Sequence, residues 1–221
     1  MKRVPEPELM DDAAQAAAYA AADFEKPHAR FIELFRAAFP NHDITGEVLD
    51  LGCGPADISL RFARAYPRCI VHGLDGAEAM LAEGRARLAR EDMTRRVRLS
   101  HAYLPGADLP AAAYAAVISN SLLHHMRDPA ALWSAAKHAA QPGAPLFIMD
   151  LRRPAGRKQA AAVVNEYAAG EPAVLRHDFF RSLLAAYRAD EVMAQLGAAG
   201  LGGLRVEEVS DRHLLVYGRL P

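Results

Sequence analysis

The chain alternates between two hydrophobic periods. Short, largely apolar runs of strand length recur at EVLDLG (47–52), CIVHGLD (69–75), VRLSHAY (97–103), YAAVISNS (114–121) and PLFIMDL (145–151). Between them lie stretches in which apolar residues return every three or four positions: 56–67, 76–92 and 128–140, the last with Asp128 at its cap and Pro129 in its first turn. Five such alternations predict a parallel sheet with helices on both faces. Ahead of the first strand, an alanine-rich helix is expected over 9–22. A second over 27–39 places Phe31, Leu34 and Phe35 on one face, and Pro40–Asn41 ends it. Residues 1–44 therefore read as a helical cap on a single domain spanning 1–221.

The rhythm changes after the fifth strand. Residues 152–188 read as helices broken at Gly170–Pro172, an insertion expected to lie over one end of the sheet. A helix over 189–201 follows. RVEEVS and HLLVYGRL then form two strands joined at Asp211–Arg212, a link too short for anything but an antiparallel hairpin.

Composition narrows the class. The chain has 221 residues, 52% of them hydrophobic, which suits one domain with a sizeable core. Net charge is −1, so no basic field for a nucleic acid is expected. No apolar run reaches the roughly 20 residues of a membrane span, and the N-terminus lacks the apolar stretch of a signal peptide. The expectation is a soluble cytoplasmic protein. Cys53 and Cys69 form no CxxC pair and no zinc spacing, so no metal is expected from them.

The candidate chemistry begins at LGCGPAD, a glycine loop between a strand and a helix. Gly52 and Gly54 fit the start of a dinucleotide fingerprint, but Asp57 occupies the third glycine's place and Asp50 precedes the loop. A pyrophosphate beside two carboxylates costs on the order of kilocalories. A P-loop lysine is absent. A ligand with a cationic end and no phosphate removes the conflict. S-adenosylmethionine (SAM) has an ammonium, a sulfonium and a neutral adenosine. Asp75, at the end of the second strand, is placed to accept from both ribose hydroxyls.

These residues resemble the class I SAM-dependent methyltransferases of the small, UbiE-like kind. VLDLGCG resembles the first motif of that family, GLDGAEAML the second, YAAVISNSLLHHMRDPAALW the fourth-strand motif and AAQPGAPLFIMDL the fifth. The resemblance is strong over residues 45–151. It implies an α/β, doubly wound, seven-stranded and mostly parallel sheet, Rossmann-like, in the order 3-2-1-4-5-7-6 with the antiparallel C-terminal hairpin. It implies SAM as cofactor and S-adenosylhomocysteine (SAH) as product. The implied contacts are Asp50, Gly52, Cys53, Gly54 and Asp57 of the loop, Asp75 and Gly76 at the ribose, and Met80 on the adenine. Asn120 and Ser121 line the cofactor. Two departures stand out. His101 lies where the family often has an acid, which shifts adenine recognition to the Ala102 or Tyr103 backbone, and the turn before the fifth strand is PGA rather than PGG.

For the transfer itself the candidates are His124 and His125, one of which can act as a general base. Arg152 and Arg153, with Arg157 and Lys158 behind them, are expected to hold a carboxylate or phosphate on the acceptor. Tyr19 and His177, with Phe24, Phe179 and Phe180, are expected in a lid. The acceptor is expected to be a small, anionic or polar metabolite. Alternatives are a SAM-binding protein without turnover, an enzyme that acts on a SAM-like ligand, and, more distantly, an NAD enzyme.

Overall fold

The computed structural model describes residues 1–6, 9, 11–40 and 43–221. The helix expected from residue 9 starts instead at Ala13, where Asp12 caps it by accepting from Gln15 N; Met10 and the Asn41 of the expected stop signal lie outside the described residues. Eight helices and seven strands are seen among the described residues: α1 (Ala13–Ala21), α2 (Glu25–Ala38), β1 (Gly46–Leu51), α3 (Asp57–Ala65), β2 (Cys69–Asp75), α4 (Glu78–Arg90), β3 (Val97–His101), β4 (Ala116–Asn120), α5 (Ala130–Ala139), β5 (Pro145–Leu151), α6 (Arg157–Tyr167), α7 (Ala173–Ala185), α8 (Ala189–Ala198), β6 (Arg205–Glu208) and β7 (His213–Arg219). The strands form one sheet in the order β3-β2-β1-β4-β5-β7-β6. All neighbours are parallel except β7, which runs antiparallel to both β5 and β6. This is the order and the hairpin that the sequence implied.

The period of two along the strands assigns the two faces. Val48, Ile118, Phe147 and Leu215 point to one side, where they meet Phe31 and Phe35 of α2 and Phe62 of α3. Leu49, Val117, Ile148 and Leu214 point to the other, against Leu132 and Trp133 of α5 and Val192 of α8. Trp133 Nε1 donates to Gln195 Oε1 at 3.1 Å and ties those two helices together. Phe147 packs edge-on against Phe31, with ring centroids 4.9 Å apart, so α2 closes its face with aromatic area.

The segments outside the alternating pattern meet at the carboxyl ends of β2 and β4. α1 packs on α4 through Ala16, Ala77 and Met80, with Tyr19 alongside. Gln15 Nε2 donates to Asp178 Oδ2 on α7 at 2.7 Å, joining the N-terminal helices to the insertion. The insertion divides at Gly170–Pro172 as expected, into α6 and α7, which bury Val163, Val164, Leu183 and Leu184 between them. No helix among the described residues is long and apolar enough to cross a membrane.

Candidate active site

The glycine loop leaves β1 through a run of left-handed backbone: Gly52 at φ 72°, Gly54 at φ 50° and Ala56 at φ 63°. Gly52 N and Cys53 N both donate to Leu74 O, which holds the loop against the end of β2. The two glycines are required for different reasons. A Cβ on Gly52 would lie 2.8 Å from Leu122 Cβ, so the segment after β4 forbids a side chain there. A Cβ on Gly54 would meet nothing within 4 Å. That side of the loop is open.

Asp75 closes the arrangement from β2. Its Oδ2 accepts from Gly54 N and its Oδ1 from Ala77 N, both at 2.8 Å. A carboxylate offers about four acceptor positions, so acceptor capacity remains for a ribose hydroxyl. Burial raises its carboxyl above the ordinary range, and the backbone N–H groups of Ala77, Gly54 and Gly76 oppose that rise. Beyond it, His101 Nε2 lies 2.9 Å from Gly76 O, and its ring meets Tyr103 at 5.2 Å between centroids. Ala102 N donates to Asp75 O. The imidazole in the place of an acid is thus tied to the second motif. Tyr103 is exposed.

Asp50 and Asp57 differ sharply. Asp50 is 1% exposed; its Oδ2 accepts from Ser59 Oγ at 2.5 Å, while its Oδ1 is buried with no hydrogen-bond partner among the described residues. Burial pushes its carboxyl up to about 7, against the Ser59 bond, and the charge of Asp75 adds to the rise. Asp57, in the first turn of α3, accepts from His28 Nδ1 at 2.5 Å, Arg61 Nε at 2.7 Å and Arg87 Nη1 at 3.0 Å. Burial raises it, but His28 and Arg61 outweigh burial and hold it at about 2.

On the neighbouring strand, Asn120 Nδ2 donates to Ser121 Oγ at 3.2 Å, and Asn120 Oδ1 is a second buried acceptor without a partner among the described residues. Ser121 adopts φ 59°, which turns the chain out of β4. Two buried acceptors near the carboxyl ends of the adjacent strands β1 and β4 suit a ligand bearing N–H donors and positive charge. These acceptors therefore fit the ammonium end of SAM, and Asp75 fits its ribose. The Cys53 sulfur packs where a Cβ on Gly73 would lie, and burial raises its thiol well above the ordinary range. Met80 is buried against Ala16 and Ala77 under α1. Tyr19 stacks near Phe24 at 4.8 Å, and burial, with the charges of Asp57, Asp75 and Asp150, pushes its phenol up to about 12. It stays a neutral hydroxyl among carboxylates.

A short 3-10 turn, Leu123–His125, follows β4. Asp150, at the end of β5, accepts from Leu123 N at 2.7 Å and His124 Nδ1 at 2.6 Å. Burial disfavours the His124 cation, yet Asp150, with Glu6 behind it, raises its proton affinity overall. The His125 ring lies 4.2 Å from that of His124. Arg3 donates to His124 O at 2.7 Å and Met126 O at 3.0 Å and lies 4.0 Å over the Tyr187 ring, so the N-terminal strap is fastened to this turn. Asp150, Glu6 and Arg3 were missed from the sequence. Asp150 carried a usable signal, a carboxylate at the end of a parallel strand; Glu6 and Arg3 carried none.

The basic cluster does not face a common space. Arg153, 3% exposed, donates to Glu191 Oε1 at 2.5 Å and Ala186 O at 3.1 Å. Arg152 pairs with Glu208 at 2.7 Å. Arg157 lies 5.3 Å over the Phe180 ring. His177 is on the exposed side of α7. Two shallow hollows, of about 320 and 240 Å³, lie at the opposite, amino end of the parallel strands, one beside Phe39 and Gly218, the other beside Ile44 and Gly143. Neither touches the glycine loop.

This sheet order, with a glycine loop after β1 and a carboxylate ending β2, is the fold of class I SAM-dependent methyltransferase domains. The comparisons agree: residues 48–143 match the family described as "Methyltransferase domain". An uncharacterized methyltransferase of Mycobacterium tuberculosis is 33% identical over 110 residues, 50% of this chain and 53% of the relative. The 27-O-demethylrifamycin SV methyltransferase of Amycolatopsis mediterranei is 31% identical over 170 residues, 74% of this chain and 57% of the relative. The chain thus spans about half the length of these curated relatives. A crystal structure of a putative SAM-dependent methyltransferase from Methanococcus maripaludis superimposes with a TM-score of 0.73 at 13% identity, covering 99% of this chain and 98% of the other.

Proposed function

We propose that the protein transfers a methyl group from SAM to a small-molecule acceptor in the cytoplasm. The observation that carries this reading is the pair of buried acceptors without partners among the described residues, Asp50 Oδ1 and Asn120 Oδ1, near the carboxyl ends of the adjacent strands β1 and β4. When bound, SAM supplies an activated methyl carbon on a sulfonium. The chain's task is then to orient, enclose and exclude water. Asp50 and Asn120 receive the ammonium, Gly54 lets the backbone approach, and Asp75 orients the ribose. The N-terminal segment and the insertion, joined through Gln15 and Asp178, support a cover over the cofactor end. The rifamycin-modifying relative supports a small acceptor. The near-neutral chain is the support for excluding a nucleic acid.

Arg152 and Arg153 have internal partners, so acceptor recognition is not assigned to them. The same observation, with His124 buried on Asp150, favours the second reading, a SAM-binding protein without turnover. Methyl transfer from labelled SAM to a panel of phenols, carboxylic acids and amines separates the two.

Calorimetry with SAH tests the cofactor site. Micromolar binding is expected, with a loss of about 100-fold in Asp75→Ala, the scale of losing charge-assisted hydrogen bonds. Unchanged affinity in that variant, or NADH binding without SAH binding, would sink the reading.

A further inference from the structure

We propose that Glu6, His124 and His125 form a binding site for one divalent transition-metal ion, with zinc the best match to the ligand set. The site goes beyond the methyl-transfer reading and does not depend on it. Among the described residues, one cluster of histidine and carboxylate ligands has its ligand atoms within 4.8 Å of one another, and it is this one.

The argument starts from the proton on His124. Asp150 Oδ1 lies 2.6 Å from His124 Nδ1 and also accepts from Leu151 N at 2.7 Å. A carboxylate accepts, so Nδ1 keeps its hydrogen, and Nε2 offers a lone pair to a metal once the ring's second proton leaves. That lone pair faces Glu6 Oε1 at 3.5 Å. Glu6 is 8% exposed, and its Oε1 is buried without a hydrogen-bond partner among the described residues; its Oε2 accepts from Ser182 Oγ at 3.3 Å. His125 Nδ1 lies 3.4 Å from the same Oε1. Two imidazole nitrogens thus converge on one carboxylate oxygen. The buried Glu6 oxygen calls for a positive centre, and that centre is either the second proton of His124, which Asp150 and Glu6 both favour, or a metal ion that displaces this proton.

The spacing fits a metal better than a shared proton. A hydrogen bond from an imidazolium to a carboxylate closes to about 2.7–2.9 Å. In a tetrahedral zinc site with bonds of about 2.0–2.1 Å, neighbouring ligand atoms are about 3.3–3.4 Å apart. The two distances to Glu6 Oε1, 3.5 and 3.4 Å, match the edge of that tetrahedron. Asp150 supplies the outer partner that metal-bound histidines have, a carboxylate fixing the far nitrogen. Two histidines and one carboxylate leave a fourth position for water. Arg3 is spent on the carbonyls of His124, Met126 and Ala185, while Arg181 acts on Glu6 through its charge. The ion would also link the N-terminal strap, through Glu6, to the turn after β4.

The test uses the full-length chain stripped with a chelator and titrated with zinc chloride against a competing chelator, and separately with cobalt(II) as a spectroscopic probe. The expected result is one equivalent of zinc per chain and the intense visible absorption of tetrahedral cobalt. Glu6→Gln and His125→Asn should each weaken zinc by about 100-fold, and Asp150→Asn by about tenfold. Melting curves in chelator show whether each variant folds. His125, at the rim of the cluster, carries the test if Glu6→Gln does not fold. Absence of saturable zinc binding, or equal zinc affinity in folded Glu6→Gln and His125→Asn, would overturn the site.

Discussion

Asp50 and Asp57 flank the same glycine loop, and the fold treats them in opposite ways. Asp57 is saturated: one histidine and two arginines surround it, and their bonds hold its carboxyl at about 2. Asp50 keeps one oxygen buried and without a partner, and burial pushes it up to about 7. The glycines repeat the contrast, since Gly52 backs onto Leu122 and Gly54 faces open space. A carboxylate that has all its partners braces the protein. One that lacks them stores an electrostatic deficit that a cationic ligand relieves. The same loop therefore has a structural side and a receptive side.

The largest expected effect tests the structural side. Gly52→Val combines a left-handed φ with a clash against Leu122, and should cost about 3 kcal/mol or more of stability in denaturant unfolding. A loss under about 1 kcal/mol would show that Leu122 gives way and that the loop is less closely held than described.

Next comes Asp50. Its folded carboxyl is raised to about 7, above the ordinary unfolded value near 4, so the folded state binds the extra proton between those limits. Its contribution to stability is complete below pH 4 and falls as pH rises through about 7. On the proposed reading the SAM ammonium binds the ionised form, so affinity should rise by up to about tenfold per pH unit toward 7 and level off above it. Asp50→Asn should flatten both profiles and weaken SAM at pH 8. Calorimetry across pH 5.5–8.5 reads the binding profile; a slope retained in Asp50→Asn would assign it to another group.

Asp57 has the opposite sign. Its folded carboxyl lies below the unfolded value, so it stabilises above pH 4 and that stability is lost as pH falls toward 2. Asp57→Asn should cost about 1–2 kcal/mol at pH 7 after allowing for its partial exposure, and leave SAH affinity within about threefold. A large loss of SAH affinity in a stably folded variant would return Asp57 to the cofactor. The smallest effect is expected at Gly54, where alanine meets no atom and should cost about 1 kcal/mol, the left-handed backbone alone.

The sequence by itself determined the sheet and its helices, because their signals are local. A period of two against one of 3.6, and glycines where φ turns positive, are read from neighbouring residues; β2 and β5 even begin and end where the apolar runs do. It also marked Asp50, Asp57 and Asp75 as one group, through their places around a motif. Only the tertiary structure separated them. Saturation of a polar group depends on partners brought from elsewhere: His28 of α2 and Arg87 of α4 reach Asp57, and Ser59 takes half of Asp50. The same reason hid Glu6, which lies before β1 yet meets His124 after β4, and hid the fate of Arg153, whose charge looks free in a basic run but is buried on Glu191 of α8. A residue's type and spacing state what it can bond. The packed chain alone decides which of its bonds are already made.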